Sequence, residues 1–125
     1  MNVGDRAEFT RSFTAADLAD YARLAGYAPD ESRVPGPLIG GLFSFLLGMH
    51  LPGRGTNYLK QETRWLAPAP LGQALTARVE VTRLRPDKRL VDLATTCRNA
   101  AGELLAEGRA VVYVGDVPAE AQGDE

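Results

Sequence analysis

Side chains suited to acid–base chemistry are few in this 125-residue chain. There is one histidine, His50, and two neighbouring carboxylates, Asp30 and Glu31, fall in the proline-bearing stretch 27–37. Either carboxylate can act as a general base if that stretch folds over a cleft. The alternative is an ordinary solvated turn, because an aspartate after a proline is a common turn residue. We name Asp30 and Glu31 as candidate acid–base residues and expect His50 to be a structural residue at a helix end.

Residues suited to ligand binding or nucleophilic chemistry are scattered. The hydroxyls of Tyr27 and Tyr58 can donate hydrogen bonds to a ligand or serve half-buried packing, and Arg54 can hold a phosphate. The one cysteine, Cys97, has no local base or helix terminus to favour a thiolate, so we predict a small core residue. No metal-ligand constellation, glycine-rich phosphate loop or nucleophile triad occurs, so we predict neither metal nor cofactor. Other phosphate candidates cluster at a predicted turn: Arg83, Arg85, Lys88 and Arg89.

The composition argues against several classes of protein. Lys plus Arg number 14 against 16 Asp plus Glu, so the chain lacks the basic footprint of a nucleic-acid-binding protein. The longest apolar stretch, 38–51, has 14 residues, fewer than the ~20 that cross a bilayer. The N-terminus lacks the apolar core of a signal peptide. One cysteine permits no intrachain disulfide, which is compatible with the cytoplasm, where we expect the protein.

Patterns along the chain predict two helices and then a run of strands. A Thr14 cap and apolar residues at helical spacing predict the first helix over 15–25, ended by Gly26. A loop with three prolines follows, and it leads into 38–51, an apolar helix with no polar face that must be buried on most sides. Alternation and turn residues predict strands at 3–10, 58–66, 75–82, 90–98 and 104–114.

A long buried helix followed by an antiparallel series of strands predicts one α+β domain. A curved sheet wrapped around the apolar helix satisfies both kinds of element in a chain this small. This is the hotdog arrangement, which we predict for residues 1–115. Residues 116–125 are acidic and small, and we predict a flexible tail there. Exposed sheet edges are usually covered or paired, so we also predict a homodimer joined edge to edge.

Several short pieces of sequence occur in a distinctive order over nearly the whole chain. They are Val3-Gly4-Asp5, the helix start from Phe13 to Leu18, Leu24-Ala25-Gly26, the stretch from Gly36 to Gly48, the turn from Leu51 to Thr56, and Arg64 to Pro68. Together they resemble the MaoC-like, (R)-specific enoyl-CoA hydratase family of hotdog proteins. The resemblance implies an acyl-CoA or acyl-carrier-protein thioester as substrate, and hydration of an enoyl thioester or the reverse dehydration as the reaction.

The resemblance also implies where the chemistry lies, and the chain departs from the family there. In the family, an Asp and a His in a D-x-N-P-x-H run activate water, and a backbone N–H at the start of the central helix holds the thioester oxygen. Tyr27 stands at the Asp position, and the run from Tyr27 to Val34 is short and contains no His. The family's H-G-M is Pro35-Gly36-Pro37 here, and its frequent serine falls at Gly41. The dyad is therefore lost, whereas the Gly36 N–H remains as the oxyanion donor.

Three functions stay open on these grounds. The first is a hydratase/dehydratase-type protein with weak or altered activity. The second is a non-catalytic binding protein, or the partner subunit of a heterodimer whose other chain is a paralogue that bears the dyad. The third is a thioesterase, isomerase or cyclase that uses the same cleft with Asp30 or Glu31 as base. The predicted substrate-binding residues are Tyr27, Pro35, Gly40, Gly41, Arg54 and Tyr58. Gly40 and Gly41 either let the helix pack closely or open a groove for an acyl chain.

Overall fold

The first helix, α1, forms where the sequence predicts it because both of its ends are capped. The computed structural model describes residues 1–118 and places α1 at Ala15–Ala25. The Asp17 N–H donates to Thr14 Oγ1 at 3.2 Å, and the Thr14 N–H donates to Asp17 Oδ2 at 2.9 Å. Gly26 ends the helix in the left-handed region at φ 79°, where glycine carries no steric cost. The predicted bounds of α1 are confirmed.

The second helix, α2, spans Gly36–Met49, two residues earlier at each end than the predicted 38–51. Pro35 is extended and the helix begins directly after it, which places Pro37 in the first turn, where its missing N–H costs nothing. The buried face of α2 consists of Ile39, Leu42, Phe43, Leu46 and Leu47. Phe45 and Met49 on the other side are 39% and 48% exposed. The prediction of burial on most sides is therefore wrong, because the sheet covers one face of α2 and leaves the other open.

Five antiparallel strands form one sheet in the order β1-β3-β4-β5-β2. Their bounds are β1 Arg6–Arg11, β2 Asn57–Trp65, β3 Leu75–Arg85, β4 Leu90–Arg98 and β5 Leu104–Tyr113. The five predicted strands match these bounds to within about three residues, in keeping with the usual uncertainty of element ends. A short 3-10 turn, Pro86–Lys88, joins β3 to β4. The edges of the sheet are β1 and β2, so their outer backbone groups have no partner strand within the described chain.

One hydrophobic core lies between the buried face of α2 and the alternate residues of the inner strands. Along β4 the buried residues are Val91, Leu93, Thr95 and Cys97, the period of two that a strand with one buried face requires. Burial raises the pKa of the Cys97 thiol to about 11, so the thiol stays protonated. The prediction that Cys97 is a core residue is confirmed.

The packed chain continues beyond residue 115, the predicted end of the domain. Val117 is buried in the core, and Asp116 Oδ2 accepts a hydrogen bond from the Asn57 amide at 3.1 Å. The hydrogen bond joins Asp116 to the start of β2, and the burial of the apolar Val117 side chain stabilises this part of the chain. The rest of the predicted tail, from residue 119 onward, lies outside the described residues.

Candidate functional site

The site is built at the start of α2, where backbone N–H groups have no partner inside the helix. No side chain caps this end, because the preceding residue is Pro35. Pro37 has no N–H, and the Leu38 N–H donates to the Pro35 carbonyl at 3.1 Å. The Gly36 N–H is therefore the donor that this helix end offers to a ligand, and the helix dipole adds partial positive charge there.

The indole ring of Trp65 lies against Gly36. A Cβ placed on Gly36 would be 3.0 Å from Trp65 Cζ2, tighter than ordinary side-chain contacts allow. Trp65 ends β2, is 51% exposed and is the one tryptophan of the chain. Glycine at position 36 thus lets an aromatic ring approach the N–H that starts α2.

An open groove runs along α2 beside β2, and we call it the α2 groove. It encloses about 640 Å³ and is lined by Gly36, Pro37, Gly40, Gly41 and Ser44 of α2 and by Gln61, Thr63 and Trp65 of β2. A Cβ on Gly40 or Gly41 would meet no atom within 4 Å. These two glycines therefore widen the groove, and the alternative that they allow close packing of the helix finds no support in the described chain.

A second cavity shares Gly36 and Trp65 with the α2 groove, and we call it the Arg33 cavity. It encloses about 370 Å³ and is lined by Arg33, Val34, Gly36, Ile39, Trp65, Leu66, Ala67, Pro68, Ala69 and Leu105. Gly36 and Trp65 line both spaces, so Gly36 is common to the two. Among the described residues that line either space, Arg33 is the one with an ionisable side chain.

The two loop carboxylates do not line either space. Asp30 Oδ1 accepts hydrogen bonds from the Ser32 N–H at 2.8 Å and from Ser32 Oγ at 2.6 Å. The Ser32 hydroxyl and N–H, helped by the charge of Arg33, hold the pKa of Asp30 below its ordinary value. Asp30 thus stabilises a local turn in its ionised form, and Glu31 is an exposed residue of the same turn.

The predicted tyrosines lie in different surroundings. Tyr27 is exposed on the loop after α1, and its hydroxyl is 2.7 Å from the Tyr21 hydroxyl. Tyr58 is on β2, where burial raises the pKa of its hydroxyl and a hydrogen bond with Ser44 partly opposes that shift. Tyr58 thus packs beside the α2 groove through Ser44, whereas Tyr27 pairs with α1.

Two further candidates lie beyond the far end of α2. Arg54 is exposed in the turn after the helix, and His50 follows its last residue with the ring 5.1 Å from the Phe45 ring. The helix from Gly36 to Met49 is about 20 Å long at 1.5 Å per residue, so His50 cannot reach the Gly36 N–H within one subunit. Of the predicted turn cluster, Arg85 forms an ion pair with Asp92.

Sequence reasoning missed four residues of the site: Arg33, Gln61, Thr63 and Trp65. Thr63 Oγ1 is buried and has no hydrogen-bond partner in the described chain. Gln61 and Thr63 share one face of β2 with Trp65, because residues two apart in a strand point the same way. Counting back from Trp65 in steps of two along the predicted strand would have identified both residues. No pattern in the sequence indicated Arg33.

Metal and membrane sites have no support in residues 1–118. No group of three His, Cys, Asp or Glu side chains in this range is close enough to hold a metal ion. No helix among the same residues is long and apolar enough to cross a bilayer.

The chain is similar to hydratases and dehydratases of acyl thioesters. It is 37% identical over 126 residues to the (R)-specific enoyl-CoA hydratase of Aeromonas caviae, covering 90% of this chain and 94% of the relative. It is 33% identical over 128 residues to a 3-hydroxybutyryl-CoA dehydratase of Methylorubrum extorquens, covering 91% and 81%. No family model matches the chain.

The fold agrees with this similarity. The structure of the (R)-hydratase from A. caviae involved in PHA biosynthesis superposes with a TM-score of 0.83 at 36% identity, covering 90% of this chain and 96% of that one. The predicted hotdog architecture is confirmed.

Proposed function

The chain belongs to the (R)-specific enoyl-CoA hydratase family of hotdog proteins, and from this membership we propose that it binds acyl thioesters at Gly36. The thioester carbonyl oxygen accepts a hydrogen bond from the Gly36 N–H, and the acyl group and carrier extend into the adjoining spaces. The observation that carries this proposal is the uncapped start of α2 where the α2 groove meets the Arg33 cavity. In reactions of acyl groups, hydrogen-bond donors positioned at the carbonyl oxygen stabilise the negative charge that develops there in the transition state.

The chemistry that follows binding is slow hydration or dehydration of enoyl thioesters. No described residue that lines either space has a carboxylate or imidazole that can accept a proton from water. The site can still assist the reaction in two ways: the Gly36 N–H polarises the carbonyl, and the surrounding residues orient the substrate. Hydrolysis by a loop carboxylate is not supported, because Asp30 is held by Ser32 and Glu31 lines neither space. The cytoplasm remains the expected location.

Binding is tested by the fluorescence of Trp65, whose ring lies against Gly36. Butyryl-CoA is expected to change the emission and to bind roughly three- to ten-fold more tightly than S-butyl-CoA, the thioether without the carbonyl oxygen, because one hydrogen bond is lost. Gly36→Ala is expected to weaken binding of butyryl-CoA, since its Cβ displaces the indole ring. Gly48→Ala is the matched control in the same helix, where a Cβ meets no atom within 4 Å. Equal affinity for the thioester and the thioether would contradict a carbonyl contact at Gly36.

We further propose a homodimer in which β2 pairs with β2 of a second copy. This strand has a neighbour on one side only, and its Leu59 is 60% exposed. Exposed edge strands are ready templates for another strand, and a two-fold axis makes the contact self-complementary. The α2 groove, lined partly by β2, would then lie beside the dimer interface.

Light scattering at micromolar concentration is expected to give the mass of a dimer. Leu59→Arg is expected to give a monomer, because it places a charge where an apolar side chain of the edge strand is to be covered by the second copy. Val3→Arg, at an equally exposed apolar residue outside β2, is the control and is expected to stay dimeric. A wild-type monomer would contradict the homodimer.

The absence of acid–base groups from the site favours one second function. A paralogue that bears the family's dyad would complete the chemistry if it took the place of the second copy at β2. Co-expression with such a paralogue should then yield a heterodimer, whereas separate homodimers after co-expression would exclude this function.

A further inference from the structure

We infer that the Arg33 cavity receives a short acyl group that ends in a carboxylate and that Arg33 binds this carboxylate. The inference rests on the proposed function and adds a substrate class to it. Its basis is that Arg33 is the one residue with a charged side chain among the described residues that line this otherwise apolar space.

The guanidinium of Arg33 has N–H groups that form no hydrogen bond within the described chain. Its one contact in the described chain is an ion pair from Nε to Asp30 Oδ2 at 3.4 Å. Neither Nη group makes a hydrogen bond with residues 1–118. A guanidinium edge of this kind matches the two oxygens of a carboxylate and can hold them with parallel hydrogen bonds.

The neighbouring residues fix Arg33 at the cavity wall. Asp30 is held on one side by the N–H and hydroxyl of Ser32. On the other side Val34 is buried, and its N–H donates to the Ala69 carbonyl at 2.8 Å. The backbone of Arg33 is thus anchored at both ends, while the side chain itself stays half exposed.

The dimensions suit a short diacid. Arg33 and Gly36 are three residues apart, so their Cα atoms are at most about 11 Å from each other. An acyl group of four to six carbons with its carbonyl at Gly36 can place a terminal carboxylate at the guanidinium. The cavity volume of about 370 Å³ lies at the small end of the range for ligand pockets, which fits the acyl group and not the carrier.

The existing ion pair between Arg33 and Asp30 is weak enough for a ligand carboxylate to compete with it. The Asp30–Arg33 pair is exposed, with 51% of the Arg33 side chain and 56% of the Asp30 side chain accessible. Ion pairs of this kind contribute little, because water screens them. A ligand carboxylate held in the cavity is less exposed to water, so its attraction to Arg33 is less screened, and this attraction must exceed the cost of desolvating the carboxylate.

The test compares glutaryl-CoA with pentanoyl-CoA, which have equal chain length and differ in the terminal carboxylate. Trp65 fluorescence is expected to show tighter binding of glutaryl-CoA by wild-type protein. Arg33→Gln should weaken glutaryl-CoA binding by roughly ten-fold or more and leave pentanoyl-CoA binding unchanged, because a charged hydrogen-bonded contact is lost. Asp30→Asn should strengthen glutaryl-CoA binding by up to about five-fold, since it removes the competing carboxylate.

Arg23→Gln is the matched control. Arg23 forms the same kind of exposed ion pair with a carboxylate three residues before it, Asp20, but lies on α1 and lines neither space. This change should alter binding of neither ligand. An equal loss for both ligands in Arg33→Gln would show that Arg33 contacts the carrier's phosphates and would overturn the inference. Equal wild-type affinities for the two ligands would overturn it as well, whereas no binding of either would overturn the proposed function.

Discussion

Purified protein is expected to hydrate crotonyl-CoA at least roughly 10⁴-fold more slowly than the A. caviae relative measured beside it, because two general acid–base groups of about 10²–10⁴-fold each are missing. One group must take a proton from water and another must supply one to the α-carbon. Tyr27, which the resemblance places at the Asp position, is hydrogen-bonded to Tyr21 on the protein surface. The Gly36 N–H alone can polarise the thioester but moves no proton.

The double variant Asp30→Asn, Glu31→Gln decides whether the loop supplies a substitute pair. We expect its residual rate to equal that of wild type. Ser32 holds the pKa of Asp30 below its ordinary value, so Asp30 is ionised at neutral pH and has no proton to donate. Loss of the decrease in enoyl absorbance on crotonyl-CoA is the measurement. An efficient rate that survives in the double variant would refute the proposal of weak hydration, and an efficient rate lost there would identify the loop acids as a replacement dyad.

Local sequence signals predicted the elements that are stabilised locally. The bounds of α1 follow from Thr14 and Gly26, which satisfy the ends of that helix without help from the rest of the chain. The bounds of β4 follow from strict alternation over Leu90–Arg98. The predicted start of α2 differs from the observed one by two residues, because a helix can begin after either Pro35 or Pro37. In the structure Pro35 is extended and the helix begins at Gly36.

The site depends on contacts that sequence spacing does not contain. Gly36 was identified through the resemblance, but its contact with Trp65 requires β2 to lie beside the start of α2. Within the proline-bearing loop, the sequence made both carboxylates, Asp30 and Glu31, candidates for acid–base chemistry, with a solvated turn as the alternative. The structure brings Arg33 to the cavity instead, because Ser32 captures the Asp30 carboxylate and the burial of Val34 fixes the chain next to Arg33. Side-chain competition of this kind is decided by packing and hydrogen bonds in three dimensions.

Gly108→Ala is expected to lower the stability of the protein by about 3 kcal/mol or more, the upper range for overpacked positions. Gly108 lies in β5 opposite Thr63 of β2 and Thr95 of β4. A Cβ at this position would overlap the Glu62 carbonyl of β2, and a backbone group cannot yield as a flexible side chain can. The strand β2 must then move away from β5, and hydrogen bonds between these strands are lost.

The same displacement should reach the site, because β2 carries Trp65 and Thr63. We therefore expect Gly108→Ala to lower the melting temperature by roughly 10 °C and to weaken binding of butyryl-CoA in the Trp65 fluorescence titration. Gly48→Ala provides the comparison, since its Cβ meets no atom within 4 Å and alanine favours a helix interior by up to about 1 kcal/mol. It should melt at or above the temperature of wild type. A Gly108→Ala protein that melts with wild type and binds butyryl-CoA equally well would show that the spacing of β2 and β5 does not hold Trp65 against Gly36.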